Sequence, residues 1–218
     1  MFQEHYPRDA KKIHVVFNGY DEKDLETLTP TEDPNQFSLI YAGSFYGGRR
    51  NPQGLFQAIS ELAKEGKITP EKFVLKLVGD PEGTIVEMVN NAGISNFVAF
   101  EGMKNYAECL QMQASSTALL AITASDPLSK GELTTKLFEY LGLKKPILAL
   151  TPKDFELGRM VEDYRSGAAI DPGDTTSIKN WLLKSIQGER PPLDANPESL
   201  SRRAGTQKLA SILESIAN

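Results

Sequence analysis

The 218 residues carry 40% hydrophobic and 24% charged side chains and a formal charge of −5, which suits a soluble globular chain able to bury a core. The single cysteine, Cys109, excludes an internal disulfide, and with two histidines, His5 and His14, it falls short of a four-ligand zinc set. No apolar run approaches the roughly 20 residues of a membrane span, the opening MFQEHYPRDAKK reads as neither signal nor transit peptide, and 29 acidic against 24 basic residues argues against a nucleic-acid partner. A cytoplasmic protein with a small-molecule partner is expected.

Candidate strands, short and rich in β-branched and aromatic residues, fall at 13–17, 38–42, 73–78, 97–100, 118–122, 146–149 and 168–170. Between them, apolar residues recur at helical spacing: Leu55, Phe56, Ile59, Leu62 and Ala63; Ile85, Met88 and Val89; Leu137, Phe138 and Leu141; Ile178, Trp181, Leu182 and Ile186. This alternation predicts an α/β fold of Rossmann-like, doubly wound type, with a mostly parallel sheet and helices on both faces. Residues 187–198, QGERPPLDANPE, are dense in proline and charge and read as a linker. Leu209, Ile212, Leu213 and Ile216 then mark an amphipathic terminal helix. The division expected is one domain over 1–218: a leading segment at 1–36, a core at 37–187, a linker at 188–196 and a terminal crossover helix at 197–218.

Ligands of such folds bind at the carboxyl ends of the strands, so the loops at 43–51, 79–83, 101–105, 123–133 and 151–155 hold the candidate site. The first, GSFYGGRRNP, combines glycines that admit close backbone approach to an anion with the forked donors of Arg49 and Arg50. The other reading is a glycine-rich turn with two solvated arginines. It fits neither a Walker loop nor G-x-G-x-x-G. In the second stretch, Gly131 to Glu139, Thr134 or Thr135 is a plausible N-cap whose helix aims free N–H groups at the same crevice. Glu139, one turn in, could accept hydrogen bonds from a vicinal diol such as ribose, or could be a surface glutamate paired with Lys136. His14 reads as structural and Cys109 as a buried thiol. A nucleophile elbow, H-E-x-x-H and a Ser/His/Asp constellation are all missing.

Five stretches, KIHVVFNGYD, SLIYAGSFYGGRRNPQGLFQAI, FVLKLVGD, FVAFEGM and KLFEYLGLKKPILAL, with LSRRAGTQKLASIL closing the chain, carry a resemblance. In this order they resemble the C-terminal, donor-binding half of GT-B retaining glycosyltransferases of the group 1 (family 4) type. The resemblance implies that Glu139 holds the ribose as the second glutamate of an E-x7-E motif. Gly131 stands where the first would be, with Glu132 beside it to face the donor sugar. It also puts Gly43 on the glycine of a Gly-Arg-x5-Lys-Gly pattern, Ser44 on its arginine and Arg50 on its lysine, with Arg49 able to compensate.

The implied activity is transfer of a sugar, with retention, from a UDP-, GDP- or ADP-sugar to a cell-surface polysaccharide or glycolipid acceptor. Arg50, Arg49 and Glu132 would serve the chemistry. Gly43, Ser44, Phe100, Gly102, Met103, Thr134, Thr135, Lys136 and Glu139 would bind the donor, its base near 100–103. Neither a metal nor another cofactor is implied. The implied partners are the nucleoside diphosphate sugar and an N-terminal acceptor-binding domain outside this chain, without which the chain should transfer little or nothing. The full-length enzyme could then sit peripherally at the inner face of the membrane. Two other readings share the pattern: a sugar-nucleotide 2-epimerase, which would want histidines in the cleft, and a non-catalytic phosphate- or nucleotide-binding module.

Overall fold

The computed structural model describes residues 5–189 and 197–217. Its centre is a six-stranded, all-parallel sheet in the order β3-β2-β1-β4-β5-β6, formed by β1 (Phe37–Ala42), β2 (Phe73–Val78), β3 (Val98–Gly102), β4 (Ala118–Ile122), β5 (Ile147–Leu150) and β6 (Gly167–Ile170). The doubly wound expectation holds, and six of the seven candidate strands stand within a residue or two of their expected bounds. β1, β4 and β5 are buried at every position, which is why they read as nearly continuous apolar runs.

Alternate residues of these strands feed two cores. Leu39, Tyr41, Leu120, Ile122, Leu148 and Leu150 face one side, where α2 (Gln53–Lys64), α3 (Gly83–Ala92) and α7 (Thr175–Ile186) pack through Phe56, Ile59, Val89 and Leu182. Ile40, Ala42, Leu119, Ala121, Ile147 and Ala149 face the other, under α5 (Thr135–Leu143) and α6 (Glu156–Asp163), with α4 (Tyr106–Ala114) alongside. Each fully buried Leu or Ile contributes roughly 1.5–3 kcal/mol relative to an exposed one, so the two-sided sheet dominates stability.

The expected strand at 13–17 does not form. Residues 13–19 take no regular structure, and His14, Val15, Val16 and Phe17 are exposed. Their apolar content serves lateral packing instead: the Phe17 ring lies 6.4 Å from that of Phe138 on α5. A short helix α1 (Glu22–Glu26), capped by the Asp21 side chain, follows. The leading segment meets the chain's far end through the parallel bridge of Tyr20 with Ser201, completed by Tyr20 N–H to Leu200 O at 3.2 Å and Arg202 N–H to Tyr20 O at 2.9 Å. After α7, residues 190–196 of the expected linker lie outside the described residues. A 3-10 turn (Pro197–Leu200) leads into α8 (Arg202–Ala217), on which Leu209, Leu213 and Ile216 are exposed.

Candidate functional site

The strand order reverses between β1 and β4, and in open α/β sheets that reversal opens a crevice at the strand C-termini. Gly43 begins the loop after β1, its N–H held by Val78 O at 2.9 Å. Its φ of +148° is a conformation that residues with a side chain rarely adopt, and a β-carbon there would fall 2.6 Å from the Lys136 Nζ and push that ammonium aside. Gly79, at φ +140°, lets the β2 loop approach the Gly43 carbonyl in the same way.

Arg50 returns the loop to the crevice, and its side chain is only 10% exposed. Its guanidinium pairs with Glu132 and lies 4.7 Å from the centre of the Tyr46 ring. It shares a small cavity with Tyr41, Thr134, Lys136 and Tyr140, and a second, of about 160 Å³, with Tyr46, Arg49, Ala124 and Glu132. Thr134 takes the N-cap position of α5 in an extended conformation, but its hydroxyl does not cap the helix. Thr135 is exposed at the first helical position. The opening N–H groups of α5 therefore have no side-chain partner from the cap.

Lys136 is half-buried and, among the described residues, forms no ion pair. Burial first, and the neighbouring Arg50 charge second, push its ammonium below the usual lysine value. The alternative in which Lys136 serves only as a surface partner of Glu139 is thus not what forms. Glu139, one turn further on, is also half-buried, and burial pushes its carboxyl above the ordinary range. Its Oε1 accepts from the Tyr106 hydroxyl at 3.3 Å, which also lies 3.1 Å from Asp24 Oδ2. Burial and these two carboxylates push the Tyr106 hydroxyl strongly upward.

Gly43, Arg50, Glu132, Thr134, Lys136 and Glu139 thus cluster around the reversal point. Arg49 borders the second cavity, but its side chain is mostly exposed and is drawn to Asp126, bonded at 3.0 Å. Ser44 turns away as well, its hydroxyl donating to Glu82 at 2.7 Å. Phe100 is partly exposed and lines a narrow slot with Gly43, Gly79 and Asp80. Gly102, at φ +68°, ends β3 and accepts from Gly79 N–H at 3.0 Å. Met103 beside it is largely exposed. The expected buried thiol, Cys109, is only partly buried, on α4. Among the described residues, no group of three or more His, Cys, Asp or Glu is placed to hold a metal ion, and no helix is long and apolar enough to cross a membrane.

Sequence reasoning did not find two features. One is the Asp24–Tyr106–Glu139 contact. The other is Glu82, whose carboxylate takes four hydrogen bonds from the 44–47 turn. Those donors hold it below the ordinary carboxylate range, the Ser44 hydroxyl most of all. The only trace of Glu82 in the sequence is its place in another strand-end loop.

No protein-family model and no curated protein matches the chain. Solved structures do. The chain is similar to the lipopolysaccharide outer core galactosyltransferase WaaB in its apo form, with 20% identity, a TM-score of 0.66 and coverage of 94% of this chain and 56% of that one. It is similar to WaaG, a glycosyltransferase involved in lipopolysaccharide biosynthesis, with 20% identity, a TM-score of 0.66 and coverage of 99% and 58%. It is also similar to sucrose-phosphate synthase from Thermosynechococcus elongatus, with 15% identity, a TM-score of 0.68 and coverage of 93% and 52%. The fold is therefore the Rossmann-like α/β domain found in GT-B glycosyltransferases. The chain spans little more than half the length of these structures.

Proposed function

We propose that this chain is the donor-binding domain of a retaining glycosyltransferase of the group 1 (family 4) type, and that it holds a nucleoside diphosphate sugar at the β1/β4 crevice. The observation that carries the reading is the convergence at Gly43, beside the N-terminus of α5, of Arg50 and of Lys136, which has no ion pair among the described residues. Two cations this close in a partly buried crevice repel each other, and an anion between them relieves the repulsion. A diphosphate supplies that charge, and Glu139, one turn along α5, is placed to accept from the ribose hydroxyls.

In the proposed reaction the bond from the sugar's anomeric carbon to the diphosphate oxygen breaks. The acceptor's hydroxyl oxygen bonds to the same face of that carbon, and its proton departs with the diphosphate. The charge growing on the leaving group is met by Arg50, by Lys136 and by the α5 N-terminus, with no metal ion required. Glu132, paired to Arg50 in the free chain, is then released toward the donor sugar. Arg49 gives a second, outer cation once it leaves Asp126. Phe100, Gly102 and Met103 border the base.

The acceptor, a polysaccharide or glycolipid, would be held by a second domain preceding this one, and this chain alone would bind donor without appreciable transfer. We place the protein in the cytoplasm, with the longer enzyme peripheral to the membrane. The epimerase reading finds little support in histidines, since the chain has only His5 and His14, both near its start, and His14 is exposed.

Calorimetric titration with UDP-, GDP- and ADP-sugars is the direct test. One of the three is expected to bind, and Glu139→Ala to weaken it by at least about 1.5 kcal/mol through loss of charge-assisted hydrogen bonds. No binding by any of them at millimolar concentration, with the fold intact, would discard the reading.

A further inference from the structure

The turn that carries Arg50 has an unusual interior. Tyr46 and Gly47 follow one another in left-handed conformation, with φ of +53° and +64°. Successive residues bent in this way gather their N–H groups into a concavity that suits an anion. The concavity is already filled from within the chain. Glu82 Oε1 accepts from the Ser44 hydroxyl at 2.7 Å and from the N–H groups of Phe45 at 2.7 Å and Tyr46 at 3.1 Å; Oε2 accepts from Gly47 N–H at 2.8 Å. Glu82 occupies the N-cap position of α3, yet its side chain makes no cap bond to that helix. Its carboxylate is turned wholly toward the neighbouring loop.

Two consequences follow for charge. The N–H groups of Phe45, Tyr46 and Gly47 are already engaged by Glu82, so they are not the seat of an external phosphate, and phosphate recognition falls to Arg50, Lys136 and the N-terminus of α5. A left-handed non-glycine residue costs roughly 1–2 kcal/mol, so Tyr46 stays in that conformation only while something holds it. Two of the bonds to Glu82 flank it and one comes from its own N–H. The Tyr46 ring in turn lies under the Arg50 guanidinium, and Arg50 N–H closes the turn on Phe45 O at 3.1 Å.

We propose that Glu82 is a positioning residue: an internal carboxylate that occupies the anion seat of the 44–47 turn, fixes Tyr46 and thereby aims Arg50 into the crevice. The proposal rests on the reading above, in which Arg50 meets a nucleoside diphosphate.

The test compares wild type, Glu82→Ala and Glu82→Gln for binding of UDP, GDP and ADP and of the corresponding nucleosides. For whichever base binds, Glu82→Ala is expected to weaken the diphosphate at least tenfold and leave the nucleoside unchanged, because only the cation is displaced. Sodium acetate at tens of millimolar should restore much of the loss by refilling the seat. Glu82→Gln keeps the volume but sets an amide N–H2 against N–H donors, so it should fall between the two and serves if the alanine variant does not fold. Wild-type diphosphate affinity in either variant overturns the positioning role while leaving the proposed function standing. Tighter binding in Glu82→Ala overturns it too, because the turn would then be a phosphate seat that Glu82 obstructs. A wild-type chain that binds no nucleotide overturns the proposed function and this role together.

Discussion

Lys136 and Glu139 stand one turn apart on α5 and are displaced in opposite directions by the same cause. Burial penalises charge, so it lowers the ammonium and raises the carboxyl. A diphosphate needs Lys136 protonated, so its affinity should fall as pH rises through a value depressed below 10.5. Ribose needs Glu139 ionised, so affinity should also fall as pH drops through a value raised above 4.5. The stability of the free chain runs the opposite way: a carboxyl raised by folding contributes stability while protonated and loses it as pH rises through the folded value. Titration of the bound nucleotide against pH should give a bell. Lys136→Arg should remove the alkaline limb, since guanidinium stays charged throughout. Tyr106→Phe removes a hydrogen bond that favours the Glu139 carboxylate, leaving Lys136, Arg202 and Asp24 as the charges facing it, so the acid limb should move to higher pH. An acid limb that stays in place in Tyr106→Phe would separate Glu139 from the ligand.

At the scale of the element, the loop after β1 turns on Gly43. Gly43→Ala should cost about 1–3 kcal/mol of stability through backbone strain and drive the Lys136 ammonium aside, lowering nucleotide affinity at least tenfold. Gly47→Ala is the control: φ is +64° there, but nothing lies within 4 Å of the added carbon, so stability should fall by about 1 kcal/mol with affinity kept. Thermal melts and calorimetry on the two variants separate strain from displacement. The elements that sequence revealed are those whose pattern is local. Buried parallel strands such as Ala118–Ile122 are short continuous apolar runs, and α2 shows its stripe of Leu55, Phe56, Ile59 and Leu62. The segment at 13–17 has the same composition but lies against α5 and α8 and joins neither sheet edge, and composition alone does not record that difference. Arg50, Lys136 and Glu139 were legible because strand-end loops and a helix start bring them together. Glu82, Asp24 and Tyr106 were not, since their contacts span 35 to 38 residues in the first case and 82 in the second.

At the scale of the molecule, the two chain ends join at Tyr20 and Ser201, and an apolar stripe runs along the surface beside that join. It holds Val15, Val16 and Phe17 of the leading segment and Leu209, Leu213 and Ile216 of α8, all exposed, with Val16 and Phe17 passing close to Gly205. Because these side chains bury little in the chain as it stands, Leu213→Glu should alter its thermal stability by no more than about 0.5 kcal/mol. Leu141→Ala, in the packed core under α5, should cost about 2–5 kcal/mol by contrast. If the proposed preceding acceptor domain packs on this stripe, the longer protein should respond differently. There Leu213→Glu buries an unpaired charge, so it should lower the midpoint of thermal unfolding by several degrees and reduce transfer, while donor affinity in the short chain stays at the wild-type value. Equal, negligible effects in both lengths would place the acceptor domain elsewhere on the surface.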